Sequence, residues 1–166
     1  MLIRIATEND LPAITAIYNS VIETSDAIYR TAAVPLAERQ AWFNVKVQCG
    51  YPVLVAEEAG SVVGYGVYGN FRFGEGYDHT VEHSVHVQSQ HRGKGIGTAL
   101  LARLIEIATA EKRLVMVAAI DSKNSGSIAL HEKFGFVESA RMKNVAKKNG
   151  ELLTLVLMQK ILSQDD

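Results

Sequence analysis

Apolar residues recur along this chain with two periods, and the places where one period gives way to the other predict its elements. Leu2, Ile3, Arg4, Ile5 and Ala6 alternate as a strand does. Thr7, with Asp10 at capping-box distance, opens a helix that carries Leu11, Ile14, Ile17, Tyr18, Val21 and Ile22 on one face. After a polar loop, Pro35 opens a second helix that ends at Gly50, with Leu36, Trp42, Phe43 and Val47 as its predicted core. Residues 51–57 and 61–68 read as strands joined by a tight turn at Ala59 and Gly60. Residues 69–78, rich in glycine and aromatics, follow neither period and predict a functional loop or a flexible connector. A strand is predicted over 80–88, with many polar groups for a central one. Leu100, Leu101, Leu104, Ile105 and Ala108 make an amphipathic helix to about residue 111. The apolar run 114–120 predicts a strand buried on both faces. A short helix over 125–134 stops at Gly135. The strands 136–146 and 152–161 then flank Lys148-Asn149-Gly150-Glu151, a type I′ hairpin signal. The order is βααβββαβαββ, which predicts one mixed α/β domain over residues 1–166 with no repeat or linker.

A chain of 166 residues can bury a sizeable core as one domain. Its 17 basic and 18 acidic residues nearly cancel, which argues against nucleic acid or an anionic membrane as the main partner. The single cysteine, Cys49, cannot form an internal disulfide and suits a reducing compartment. With no His and Asn pairing evident beside it, Cys49 is expected to be a buried structural thiol. No run of 18 apolar residues occurs and the N-terminus lacks a signal-peptide core, so a cytoplasmic location is expected.

The chemistry concentrates in Arg92, Gly93, Lys94, Gly95, Ile96, Gly97 and Thr98. Glycines let several backbone N–H groups converge, and the helix that follows adds unpaired N–H groups and the positive end of its dipole. Such a stretch suits a phosphate or pyrophosphate. It is not a P-loop, because four residues do not separate a first glycine from a Gly-Lys-Ser/Thr ending. A dinucleotide fingerprint could start at Gly95 and Gly97, with Asp121 as the ribose acid. However, its third glycine position is Leu100, and the stretch follows hairpin-type strands rather than the first strand of a parallel sheet.

The remaining Arg-x-x-Gly-x-Gly pattern resembles the pyrophosphate motif of the GNAT superfamily of acetyl-CoA-dependent N-acetyltransferases. The order of elements is similar across the whole chain. The stretches 50–56, Thr80-Val81-Glu82-His83-Ser84-Val85 and Leu130-His131-Glu132-Lys133-Phe134-Gly135-Phe136 resemble its phosphinothricin and methionine-sulfoximine branch. The resemblance implies a mostly antiparallel sheet flanked by helices, acetyl-CoA as co-substrate, no metal, a small-molecule amine as partner and a homodimer. It also implies that pyrophosphate is held by the backbone of Gly93 to Thr98, with Arg92 and Lys94 adding charge. The family's fourth and fifth strands splay apart, so the pantetheine arm would meet the backbone of Val85, His86 and Val87. Asn124 and Lys133 match positions near the pantetheine and the nucleotide end, although Asn124 also reads as a helix N-cap and Lys133 as a solvated lysine. The final hairpin departs from the branch, since residues 148–152 lack its aromatic-glycine-basic-tryptophan stretch.

Amine attack on a thioester needs a base, and Glu82, on the strand that carries the motif, is the candidate. A thiolate with a pKa of about 8.5 leaves with little help. His131 stands where many members place a tyrosine acid, and its catalytic and its packing or cofactor-contacting readings both stay open. Arg72, Phe73 and Gly74 are the substrate-side candidates, because a guanidinium there could pair with the α-carboxylate of an amino-acid-like acceptor. His83 and Ser84 flank the base, and with Glu82 they complete the predicted substrate pocket. The expected reaction is acetylation of the α-amino group of a phosphinothricin, methionine sulfoximine or methionine sulfone type of molecule. The alternatives are another amine (a polyamine, an aminoglycoside or a protein N-terminus) and a non-catalytic acyl-CoA sensor.

Overall fold

The computed structural model describes residues 1–162. Its strands are β1 (Leu2–Ile5), β2 (Val53–Glu58), β3 (Ser61–Asn70), β4 (Thr80–Val87), β5 (Val115–Asp121), β6 (Val137–Lys148) and β7 (Glu151–Ile161). The helices are α1 (Leu11–Thr24), α2 (Leu36–Gln48), α3 (Ile96–Ala110) and α4 (Ser125–Lys133). This is the predicted order of elements. The strands form one sheet in the order β1-β2-β3-β4-β5-β7-β6. Every neighbouring pair is antiparallel except β4 and β5, which are parallel and are joined through α3, as a parallel pair requires.

Period-2 alternation assigns the two faces. Leu54 and Ala56 of β2 pack with Leu100, Leu101, Leu104 and Ala108 of α3. Val53 and Val55 face the other way, onto Leu11, Ile14 and Ile17 of α1 and Phe43 of α2. The first four residues of β2 are therefore buried on both sides, which is why Val53 to Ala56 read as an unbroken apolar run. Among the described residues no helix is long and apolar enough to cross a membrane.

Two expectations fail around α2. Leu36 and Val47 are exposed, and the buried residues of that helix are Phe43 and Arg39. The Arg39 guanidinium lies between two rings, 4.2 Å from the centroid of Tyr18 and 3.7 Å from that of Trp42. Its flat face and aliphatic stem do the work of an apolar side chain there. Cys49, just past the helix end, is exposed rather than buried. It lines neither cavity of the site described below.

The segment 25–35 between α1 and α2 is fastened at three places. Asn19 brackets its far end, donating from Nδ2 to Val34 O and accepting Val34 N–H at Oδ1. Tyr29 donates its hydroxyl to Asp121 Oδ2 at 2.7 Å. Lys148, beside the β6–β7 turn, is buried and donates from Nζ to Ile22 O, Ser25 O and Ile28 O at 2.7, 2.6 and 3.0 Å. The three N–H donors of one ammonium thus meet three carbonyls, one of them in the last turn of α1 where no intrahelical donor remains. Asn149 and Gly150 both have positive φ, the type I′ geometry that aims Lys148 inward. Replacing Lys148 with alanine strands these carbonyls and removes charged hydrogen bonds, with a loss of roughly 1.5–3 kcal/mol. Denaturant unfolding should report that loss, and limited proteolysis should find new cleavage within 25–35. An unchanged midpoint and digestion pattern would refute the anchoring role.

Candidate active site

The site begins where the β4–β5 ladder ends. Parallel pairing runs from Thr80 opposite Val115 to His83 opposite Ala118 and then stops, whereas β5 stays paired with β7 as far as Asp121. Beyond His83 the two strands therefore part, and the backbone of β4 on that side is left without a strand partner. A cavity of about 870 Å³ opens at the gap, lined among others by Val85, His86, Val87, Arg92 and Asn124. A second, of about 400 Å³, is lined among others by Tyr18, Tyr29, Glu82, His83 and Ser84. The two share Ala27, Val85, His86, Asp121, Asn124, Ser127 and His131, so they meet through the gap.

The turn before α3 supplies a cradle to the larger cavity. Gly93 and Gly95 have φ of 75° and 80°, a region that side chains disfavour, and Gly95 is the N-cap of α3. Arg92 N–H donates to Ser89 O, and the next amide with a backbone acceptor is that of Ala99, which donates to Gly95 O. The amides from 93 to 98 are thus left for a ligand at the positive end of a helix of 15 residues. Gly93, Gly95, Ile96, Gly97 and Thr98 line the cavity. Lys94 and Lys133, both exposed, do not. Asn124 caps α4, its Oδ1 accepting from Ser127 N at 3.1 Å, and it borders both cavities as well.

The alternation of β4 separates the polar side chains of the motif. Val81, Val85 and Val87 pack on the α3 face, and His83 shares that face. Glu82, Ser84 and His86 point to the α1–α2 face, where His86 lies 5.4 Å from the ring of Tyr65 and 6.5 Å from that of Tyr18. Burial pushes the Glu82 carboxyl above its usual range, opposed by the positive charge of Lys46. Lys46 reaches this point across Gly69, the residue paired with Glu82 on β3. A Cβ at position 69 would overlap the Lys46 ammonium where it lies, so a side chain there would push the end of the lysine aside.

On the α3–α4 face, His83 and His131 are each only 5% exposed, and their Nε2 atoms lie 2.9 Å apart. Phe136 stands beside both rings. Burial pulls the proton affinity of each ring down, that of His83 to about 3.

Not every predicted residue arrives. Arg72, Phe73 and Gly74 lie in an exposed loop and line neither cavity, with Phe73 at 96% exposure. In their place the walls are built by the 25–35 segment, which contributes Ala27 to both cavities and Ile28 and Tyr29 to the smaller. A lone tyrosine in a polar loop, and an aspartate closing an apolar strand, were the signals that Tyr29 and Asp121 leave in the sequence. Lys46 leaves none.

A model of the acetyltransferase (GNAT) family matches residues 14–136. The chain is 50% identical over 158 residues to the L-methionine sulfoximine/L-methionine sulfone acetyltransferase of Pseudomonas aeruginosa, covering 95% of this chain and 92% of the relative. A Salmonella typhimurium protein whose structure includes its cofactor acetyl-CoA superposes with a TM-score of 0.97. It is 44% identical, with 100% of this chain and 96% of that chain covered. The ribosomal-protein-alanine N-acetyltransferase of Brucella melitensis superposes with a TM-score of 0.95 at 50% identity, with 97% and 99% covered. A splayed parallel strand pair beside a glycine cradle, and a match of this extent, make the chain a member of the acetyltransferase (GNAT) family.

Proposed function

We propose that this protein transfers an acetyl group directly from acetyl-CoA to the α-amino group of a small amino-acid analogue of the methionine sulfoximine, methionine sulfone or phosphinothricin type. The observation that carries the reading is the meeting of two cavities at the β4–β5 gap, one beside an anion cradle and the other beside a half-buried carboxylate. Acetyl-CoA fits the first, since six successive amides without backbone acceptors and an unpaired strand edge match a pyrophosphate and an amide-bearing arm. When bound it supplies an activated acyl group. In this proposal the amides from 93 to 98 and Arg92 hold the pyrophosphate, and the backbone of Val85, His86 and Val87 with Asn124 holds the arm. Lys94 and Lys133 add charge outside the cavity wall.

Glu82 takes a proton from the amine on the opposite face of the sheet. A carboxylate raised by burial is a better base than one in water, and the Lys46 charge keeps it from being neutralised outright. Ser84, His83, Tyr18 and Tyr29 line the acceptor cavity, whose size of about 400 Å³ favours a small molecule. The name of the Pseudomonas relative supports a sulfoximine or sulfone acceptor. Arg72 reaches such an acceptor only if its loop moves, so in this proposal it acts as a carboxylate clamp on the closed loop, with Phe73 and Gly74. Acetylation removes the charge of the amine, and for a toxic analogue that amounts to detoxification. A single domain over 1–166, a cytoplasmic location and a homodimer belong to the same proposal.

Release of free thiol from acetyl-CoA across a panel of amines tests the acceptor. Methionine sulfone should turn over and spermidine should not. Turnover only with a peptide bearing N-terminal alanine would favour the activity for which the Brucella protein is named, and tight acetyl-CoA binding with no thiol release across the panel would leave a sensor. Glu82→Gln should lower kcat/KM about 10²–10⁴-fold. In the parent, kcat/KM should fall as pH drops through the raised Glu82 value, because the carboxyl becomes protonated and ceases to be a base. That acidic limb should vanish in the variant, and its persistence would assign the limb to another group.

A further inference from the structure

Two opposite charges stand side by side and unpaired at one end of the acceptor cavity. Gly69 of β3 is the cross-strand partner of Glu82 on β4, so a side chain at 69 would share a face with Glu82, the Cβ atoms about 5 Å apart. The Lys46 ammonium, reaching over from α2, occupies the place where that Cβ would be. It therefore lies beside Glu82 on the same face of the sheet. Among the described residues neither group enters an ion pair. The buried side-chain polar atoms without a hydrogen-bond partner are there Arg39 Nε, Tyr68 Oη and His91 Nδ1, so the Lys46 ammonium and the Glu82 carboxylate both keep access to open space. A second cation shares the Tyr51 ring with Lys46, at 5.7 Å against 5.4 Å from its centroid, but that one is engaged. It is Arg113, which donates to Glu111 Oε2 at 3.3 Å and to Asp78 O at 2.7 Å.

We propose that Lys46 receives the carboxylate of the acceptor while Glu82 meets its amino group, so that the two together read the zwitterionic head of an α-amino acid. This rests on the acetyl-transfer reading above, and it makes Lys46 a specificity-determining residue for that site. An α-amino acid carries its ammonium and carboxylate on one carbon, and a carboxylate and an ammonium held close but out of contact can meet both at once. The β4 residues that line the smaller cavity run from Glu82 to His86, which puts Glu82 at one end of it. Lys46 is not part of that lining and stands just past this end. The head group therefore belongs at the Glu82 end, and the acceptor's side chain extends along β4 toward His86.

The surroundings suit such a ligand. Burial disfavours the charge on both groups, and each charge partly offsets that for the other. A half-buried charge without a partner is costly, and a zwitterion supplies the missing counter-charge to each through charged hydrogen bonds. Other amines fit less well. A polyamine gives Glu82 its cation but sets like charge against Lys46, and an amine without a carboxylate leaves Lys46 unpaired. Strand β3 ends at Asn70, one residue past Gly69, and Arg72 follows in the exposed loop. Lys46 is thus the cation already in place at this end, and closure of the loop would add Arg72 to the same carboxylate.

Calorimetric titration of the protein saturated with coenzyme A, which has no acetyl group to transfer, reads the contact without turnover. The ligands are L-methionine sulfone, phosphinothricin and the carboxamide of methionine sulfone, which keeps the amine and lacks the carboxylate. Lys46→Met should weaken methionine sulfone roughly 10- to 100-fold more than its carboxamide, the scale of one charged hydrogen bond. Lys46→Arg, which keeps the charge, should recover most of the difference. In turnover the same contrast between the two acceptors should fall on KM rather than on kcat. Equal losses for both, the mark of a lysine that acts only through Glu82 or through packing, would overturn the proposal. So would an affinity for methionine sulfone within about twofold of the parent in Lys46→Met, or a parent that binds neither methionine sulfone nor phosphinothricin. Lys46-dependent binding in a parent that releases no thiol with any amine would count against acetyl transfer alone and leave the head-group site standing.

Discussion

The parallel ladder between β4 and β5 ends at His83 and Ala118, and the site follows from that ending. A parallel pair needs a crossover, here supplied by α3, and this pair lies where the sheet is covered by helices on both sides. Once they part, backbone groups that a sheet normally satisfies become available to a ligand. The glycine turn delivers a second set at the start of α3, on the same side of the gap. Period-2 alternation then does the chemical sorting. Consecutive residues Glu82 and His83 point to opposite faces of one strand, yet both border the smaller cavity at the gap.

The wall over the gap depends on parts of the chain far from the motif. Segment 25–35 buries little beyond Val34, and it is held by Asn19, by Tyr29 on Asp121 and by the buried Lys148. The final hairpin thus affects the site at a distance. It lacks the aromatics expected from the resemblance, yet at its turn it contributes an ammonium that closes the end of α1 and fixes the loop lining both cavities. Tuning of Glu82 is similarly remote, since Lys46 of α2 reaches it over a glycine of β3.

These remote contacts also mark the limit of what the sequence discloses. The order of elements is legible because period-2 and period-3.6 patterns are local, and the cradle is legible because its glycines and cations are adjacent. Burial of Arg39 rests on rings from α1 and α2 together, so a weakly amphipathic helix shows its core as Leu36 and Val47 when Arg39 and Phe43 are the buried pair. The pairing of His83 with His131 joins residues on different elements that only the β4–β5 crossover and α4 bring together. Arg72 reads as a substrate ligand from its place in an aromatic loop, but nothing local says where that loop lies, and it stays outside both cavities.

The account makes the two cavities halves of one site in which acceptor and acetyl donor are bound at once, with no group of the protein carrying the acetyl in between. Initial velocities measured with both substrates varied test this most directly. Simultaneous binding predicts double-reciprocal lines that intersect. Parallel lines, the mark of an acetylated enzyme formed before the amine binds, would contradict it.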